Sequence, residues 1–303
     1  MADASILITG GAGQLASSLA ALARARGVAA IHVGRPDFDF DRPETIEAAF
    51  RASRPRLVVN AAAYTAVDAA EADAVAAARA NHAGPEALAA LCAAAGVPLI
   101  HVSTDYVFDG RKAGAYVETD PTSPQSVYGA TKLAGERAVL ASGAPVIVMR
   151  TSWVYSATGK NFIRTMLNVA QRLQGDGKLR VVADQHGCPT SADDLAEAIL
   201  NIAGAIFSTG WQPHYQGIFH AAGSGDTSWH GLAVAAFEAA ARHGRPIPAV
   251  EAITTADYPT PAPRPANSRL DCTRLAQVFG QQLPPWRASV DRVVDTLLGA
   301  TIS

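Results

Sequence analysis

Tyr128-Gly129-Ala130-Thr131-Lys132 sets a phenol and an amine four residues apart. On a helix that spacing puts both side chains on one face. A free tyrosine titrates at about 10 and is reluctant to exchange its proton at neutral pH. An ammonium one turn away favours the phenolate and lowers that value. The pair is a candidate general acid for the alkoxide formed when hydride reaches a ketone. Lys132 also suits the ribose of a nicotinamide cofactor. A hydroxyl sharing the developing oxyanion is expected at the end of a strand. His101-Val102-Ser103-Thr104-Asp105 offers Thr104 there. Ser103 is the neighbour to be told apart from it, and successive strand side chains face opposite ways, so one of the two reaches the site.

Hydride needs a carrier, and Gly10-Gly11-Ala12-Gly13-Gln14-Leu15-Ala16 has the context for one. An apolar run, Ser5 to Thr9, precedes it and an Ala/Leu-rich run, Gln14 to Arg26, follows it. Small residues at a strand-to-helix turn let backbone approach a pyrophosphate, and the helix start supplies free N–H groups. The second apolar run ends at Val33-Gly34-Arg35. An acid there suits a ribose 2′-OH and an arginine suits a 2′-phosphate. Arg35 therefore leans the cofactor toward NADPH, with NADH the second candidate. Asp37, Asp39 and Asp41 remain open to a ribose or adenine.

These residues need strands and helices to hold them. Apolar runs at 29–33, 57–63, 98–103 and 145–150 alternate with helical patterns at 43–53, 69–95 and 128–141, the second broken near Gly84-Pro85. Short strands alternating with longer helices predict βαβ units, a parallel sheet and right-handed crossovers. The expected fold class is α/β, a doubly wound parallel (Rossmann) sheet with a smaller α/β C-terminal substrate domain. Residues 1–155 form the dinucleotide-binding part, joined by pieces of 176–222, and 156–303 are mainly substrate-binding. Helices are expected at 161–173, 192–203, 228–243 and 289–298, strands at 179–183 and 217–221, and extended chain through the proline-rich 259–265.

Composition narrows the partners. The 303 residues carry 25 Lys and Arg against 27 Asp and Glu, a net charge of −2, which argues against a nucleic-acid partner held by bulk charge. Apolar residues make up 49%, enough for a large core. Cys92, Cys188 and Cys272 lie far apart and make no disulfide or zinc pattern. The opening residues show no basic region followed by an apolar one, and the longest uncharged stretch, 198–225, is too interrupted to span a bilayer. A cytoplasmic protein with no membrane partner is expected.

Together these motifs resemble the extended short-chain dehydrogenase/reductase family, and within it the dTDP-4-dehydrorhamnose reductase branch, over most of the chain. Besides the glycine turn and Tyr128 with Lys132, the resemblance rests on Asn60-Ala61-Ala62-Ala63-Tyr64-Thr65-Ala66-Val67-Asp68 and Ser103 through Gly110. Arg150 through Tyr155, Asn161-Phe162, Gly187-Cys188-Pro189-Thr190, and Arg264-Pro265 with Ser268 and Leu270 extend it. The resemblance implies that Gly10, Gly11, Ala12, Gly13, Gln14 and Leu15 bind the pyrophosphate. It implies that Asp39 and Phe40 approach the adenosine, and that Ala62, Ala63, Tyr64, Tyr128 and Lys132 complete the cofactor site. Thr104, Tyr128 and Lys132 would be catalytic, and Val67, Thr104, Asp105, Tyr106 and Trp153 would face a nucleotide deoxysugar. Trp153 offers a ring to the sugar or a core packing residue, Tyr106 a hydrogen bond or a packing contact, and Arg264 a partner for a diphosphate or a surface ion pair.

The implied reaction is NADPH reduction of a 4-keto deoxysugar nucleotide. Dehydratases of the family carry Thr-Asp-Glu where this chain has Thr104-Asp105-Tyr106, which argues against water elimination. Another nucleotide-deoxysugar ketoreductase or epimerase, and a catalytically silent NADP-binding regulatory subunit, are the alternatives. Some members dimerise through magnesium held by glutamates, one of them just after the glycine-turn Gln. Here that position is Leu15, and Ser191 follows the Gly-Cys-Pro-Thr motif. No metal is expected, in a monomer or homodimer.

Overall fold

A computed structural model describes residues 6–173 and 177–299. Ser5, expected to open the first strand, lies outside the described residues. Five strands, β1 (Ile6–Thr9), β2 (Ala30–Val33), β3 (Leu57–Asn60), β4 (Leu99–Thr104) and β5 (Val146–Thr151), join the strand Gly217–His220 in one sheet. Every pairing is parallel, in the order Gly217–His220, β5, β4, β3, β1, β2. The chain leaves β1 for β2 on one side and returns to β3 on the other. The order therefore reverses between β1 and β3, and such a switch point opens a crevice at the carboxyl ends of the strands.

The strands read as continuous apolar runs because both faces are covered. On one face Ile6, Ile8, Leu57, Val59, Ile100 and Met149 pack against α1 (Gln14–Ala25) and the helix Ala192–Thr209. On the other, Leu7, Val58, Leu99, Val146 and Val148 pack with α2 (Pro43–Ser53), α5 (Gly84–Ala95) and α6 (Val127–Ala141). Leu275 and Leu283, far along the chain, complete the first face. A second core joins Tyr155, Ile163, Leu167, Leu179 and Val181 to the helices Trp229–Ala241 and Trp286–Gly299. Besides short strands of two residues and 3-10 turns, two longer elements have no counterpart in the sequence reading: the strand Ala249–Ile253, which pairs with Lys178–Val182, and the helix Thr273–Phe279.

Two elements differ in a way that bears on the site. β3 stops at Asn60 rather than Ala63, so Ala61 to Ala66 leave the sheet and line the crevice. The helical stretch expected at 69–95 divides at Asp73 into α3 (Val67–Ala72) and α4 (Ala74–Ala78). It then runs through Gly84-Pro85 as a π turn, Arg79–Ala83, leading into α5. Pro85 has no N–H for the carbonyl four residues back, and its ring crowds that carbonyl. The wider π turn absorbs both demands and aims the Asn81 carbonyl at α6, so close to Gly135 that any Cβ there would overlap it.

Candidate active site

Gly10, at the end of β1, has φ 126°, and a Cβ on it would come within 3.0 Å of the Ala16 Cβ and the Ala61 carbonyl. Its amide and that of Gly11 are drawn onto the Val33 carbonyl at 3.2 and 3.0 Å. Gly13 precedes α1 without a side-chain cap, and no acid stands in the first turn. The N–H groups and positive end of α1 are thus left for an anion. Ala12 and Gly13 complete this turn. Leu15 is buried in the core beneath it. The Gln14 side chain points away, its Oε1 accepting from Ser156 Oγ at 2.9 Å and Asn161 Nδ2 at 3.0 Å.

At the outer end Arg35 is well exposed and already engaged. Its Nε donates to Asp39 Oδ1 at 2.9 Å and its Nη2 to Asp41 Oδ2 at 2.6 Å. The other Asp41 oxygen accepts from Arg79 of the π turn at 2.8 Å. Burial pushes the Asp39 carboxyl up, but the Asp41 N–H and Arg35 outweigh it and leave the group below its ordinary range. The Phe40 ring turns inward, edge-on to Phe38 at 5.2 Å and against Gly84. Its side chain is therefore core, and only its backbone is left to meet an adenosine.

Beyond β3, Asn60 Oδ1 accepts from Thr9 Oγ1 at 2.7 Å and from the Ala62 amide at 3.2 Å, while its amide nitrogen meets His101 Nδ1 at 3.0 Å. Ala63 and Tyr64 follow, and Asn81 clamps the Tyr64 backbone from both sides. Its Oδ1 accepts from Tyr64 N at 2.8 Å, and its Nδ2 donates to Tyr64 O and Thr131 Oγ1, both at 3.1 Å. Sequence reasoning missed Asn81. The available signal was a polar residue in an alanine-rich helix just before Gly84-Pro85.

β4 and α6 bring the reactive side chains together. Ser126 caps α6 by accepting from the Gly129 amide at 3.1 Å, which sets Tyr128 in the first turn. Thr104 closes β4, accepting from Tyr106 N at 3.2 Å and donating to Asp105 Oδ1 at 3.1 Å. The Thr104 hydroxyl is close enough to Tyr128 to act on its phenol. Ser103 faces elsewhere, its hydroxyl buried without a hydrogen-bond partner. Val67, Tyr64 and Tyr106 surround the Tyr128 ring, with Tyr106 edge-on at 5.4 Å.

Burial pushes the Tyr128 phenol up to about 12, against the opposing influence of the Thr104 hydroxyl. Burial also pulls Lys132 down to about 8, against the Glu136 charge, and lifts Asp105 to about 6. Lys132 Nζ donates to the Val102 carbonyl at 2.7 Å. The sequence reading had Lys132 lowering the Tyr128 value. Burial is the larger effect, and the phenol is held protonated.

The remaining expected substrate residues divide. Asp105 is buried, with Oδ2 lacking a hydrogen-bond partner. Arg264 Nη2 pairs with Asp68 at 2.6 Å, next to Val67, while its Nη1 is buried without a hydrogen-bond partner. Trp153 has φ 48° and stacks on Trp229 with ring centroids 3.6 Å apart. Trp229, absent from the sequence reading, is held by a hydrogen bond from its Nε1 to Gln185 at 3.1 Å. Among the described residues no group of three or more His, Cys, Asp or Glu is placed to hold a metal ion, and no helix is long and apolar enough to cross a membrane.

A family model described as RmlD substrate binding domain matches residues 4–298. A dTDP-4-dehydrorhamnose reductase of Sinorhizobium fredii is 46% identical over 294 residues, covering 97% of each chain. The crystal structure of a dTDP-4-dehydrorhamnose reductase from Clostridium acetobutylicum superposes with a TM-score of 0.87 at 35% identity, covering 97% of this chain and 99% of that one. The Bacillus anthracis dTDP-4-dehydrorhamnose reductase in complex with NADP also gives a TM-score of 0.87, at 28% identity over 96% of this chain and 98% of that one. By sequence over nearly its whole length and by fold, the chain belongs to the dTDP-4-dehydrorhamnose reductase family.

Proposed function

We propose that this chain reduces the C4 ketone of dTDP-4-dehydro-L-rhamnose to dTDP-L-rhamnose with NADPH, in nucleotide-sugar synthesis for cell-surface polysaccharide. The observation that carries the reading is that Thr104, Asp105 and Tyr128 are buried next to one another, with Lys132 one turn along α6. The cofactor fits the chain at the glycine turn, where an uncapped, acid-free helix start faces a backbone with no room for side chains. Bound there, NADPH supplies the hydride.

The protein's own groups do the rest. Thr104 and Tyr128 hydrogen-bond the ketone oxygen and take up the charge that develops on it. Tyr128 then donates its proton; burial keeps that proton in place at neutral pH. Lys132 spends one donor on Val102 and has two left for the nicotinamide ribose. Arg264 Nη1 is a free donor for the substrate diphosphate, and the Trp153–Trp229 stack forms an apolar wall beside the sugar. The same reading puts the chain in the cytoplasm as a monomer or homodimer, with no membrane or nucleic-acid partner.

The test is isotopic. With NADPH deuterated at the transferring position, dTDP-L-rhamnose should carry one deuterium, at C4. An isomerised sugar without net cofactor oxidation would mean an epimerase, and bound cofactor with no product would mean a binding protein.

A further inference from the structure

Tyr128, Lys132 and Glu136 follow one another at four-residue steps along α6 and share one buried face. Glu136 is 1% exposed and Arg150, at the end of β5, 2%. Arg150 takes both carboxylate oxygens, Nε to Oε1 at 2.8 Å and Nη2 to Oε2 at 2.6 Å. Its guanidinium lies 5.0 Å from the Phe108 ring centroid, and its Nη1 is buried without a hydrogen-bond partner. A buried pair like this contributes little net stability, because desolvating the two charges offsets their attraction. Stability is thus a weak reason for its presence, and Lys132 supplies a stronger one.

Burial drives Lys132 toward its neutral form, and the Glu136 charge opposes that drive. The other groups around the ammonium do not replace it. His101 on β4 is kept neutral by burial and by Lys132 itself. Tyr128 is protonated, and His220, beside β5, is held neutral by burial and by Arg150. Arg150 is positive, and although Asp105 at the end of β4 is ionised above about 6, Glu136 is the charge that acts on Lys132. We propose that the Glu136–Arg150 pair is a positioning device for Lys132, keeping the buried ammonium charged so that it holds the nicotinamide ribose. Because Arg150 occupies both oxygens, Glu136 acts on Lys132 through its charge one helical turn away and is held off from bonding it directly.

This inference rests on the reading of Lys132 as a cofactor-binding residue, so its test reads NADPH binding, by nicotinamide fluorescence, with no sugar present. In the parent chain, affinity should fall as pH rises through about 8. In Glu136→Gln the midpoint should move down by about one to two pH units, costing about five- to fiftyfold in affinity at the old midpoint. Because that change strands the Arg150 charge, the double variant Glu136→Gln with Arg150→Met is measured beside it; it removes both charges and is expected to fold. Its midpoint should also lie below the parent's. Variants that lose thermal stability while keeping the parent midpoint would show a purely structural pair and overturn the inference. A parent affinity that stays flat through this range would overturn it too. A shifted midpoint in a chain that turns over no keto sugar would sink the proposed reaction and leave this inference standing.

Discussion

Tyr128 is protonated at neutral pH because burial outweighs its other interactions, and a reductase needs its acid in that form. Tyr128→Phe should lower kcat by about 10²–10⁴ while changing the NADPH dissociation constant little, as titration and turnover would show. Asp105 makes a thermodynamic prediction. Its carboxyl titrates at about 6 in the folded chain against an ordinary 3.8. Between those values the folded state holds the extra proton, so stability falls as pH rises, and above 6 the cost is complete. Asp105→Asn should therefore unfold at higher urea near neutral pH, by about 2–3 kcal/mol, with no such gain below pH 4. Equal stability near pH 7 would refute the burial account of this group. Arg35 is exposed and tied to two aspartates, so under the proposed function a 2′-phosphate would gain only a moderate hold from it. Arg35→Ala should raise KM for NADPH about five- to tenfold and leave KM for NADH nearly unchanged. The candidate reactive residues that the structure brings together were legible because their types and spacing point to one chemistry. The dominance of burial over Lys132 was not, since it depends on what three-dimensional packing does to the phenol. Arg264 makes the ion pair of one of its readings, with Asp68, and keeps its other nitrogen buried without a hydrogen-bond partner; its reading as a diphosphate partner belongs to the proposed function.

The π turn is the element that joins the cofactor site to the reactive helix. Arg79 reaches Asp41, Asn81 clamps Tyr64 and Thr131, and the Asn81 carbonyl presses on α6 at Gly135. Gly135→Ala should push α6 off the turn. We expect a loss of about 1–3 kcal/mol, from overpacking, with KM for NADPH raised because Tyr64 and Lys132 move with their elements. Denaturant unfolding and initial rates check both. Gly84-Pro85 in the sequence announced an irregularity here, and proline statistics favour a break. The chain instead keeps its helix, because the glycine on α6 gives the Asn81 carbonyl space. That compensation involves residues 54 positions apart, beyond any local pattern. β3 ended early for a similar reason: Asn60 holds the Ala62 amide with its side chain and turns the backbone out of the sheet.

Across the whole molecule, alternating strands and helices made the parallel sheet legible, and the glycine turn located its switch point. The closing of the sheet was harder to read. Residues 192–220 contribute a helix and the outermost strand, and Leu275 and Leu283 finish the same core. The stacked Trp153 and Trp229 come from segments 76 residues apart, so no sequence window contains both. What this assembly achieves is a buried phenol that is protonated at neutral pH and a helix start left without cap or acid at the turn after β1. The most direct test follows nicotinamide absorbance with dTDP-4-dehydro-L-rhamnose, for the parent chain and Tyr128→Phe side by side. One NADPH should be oxidised for each dTDP-L-rhamnose formed, with the variant slower by at least about a hundredfold. A parent chain that binds NADPH but consumes none, or a variant as fast as the parent, would contradict the account.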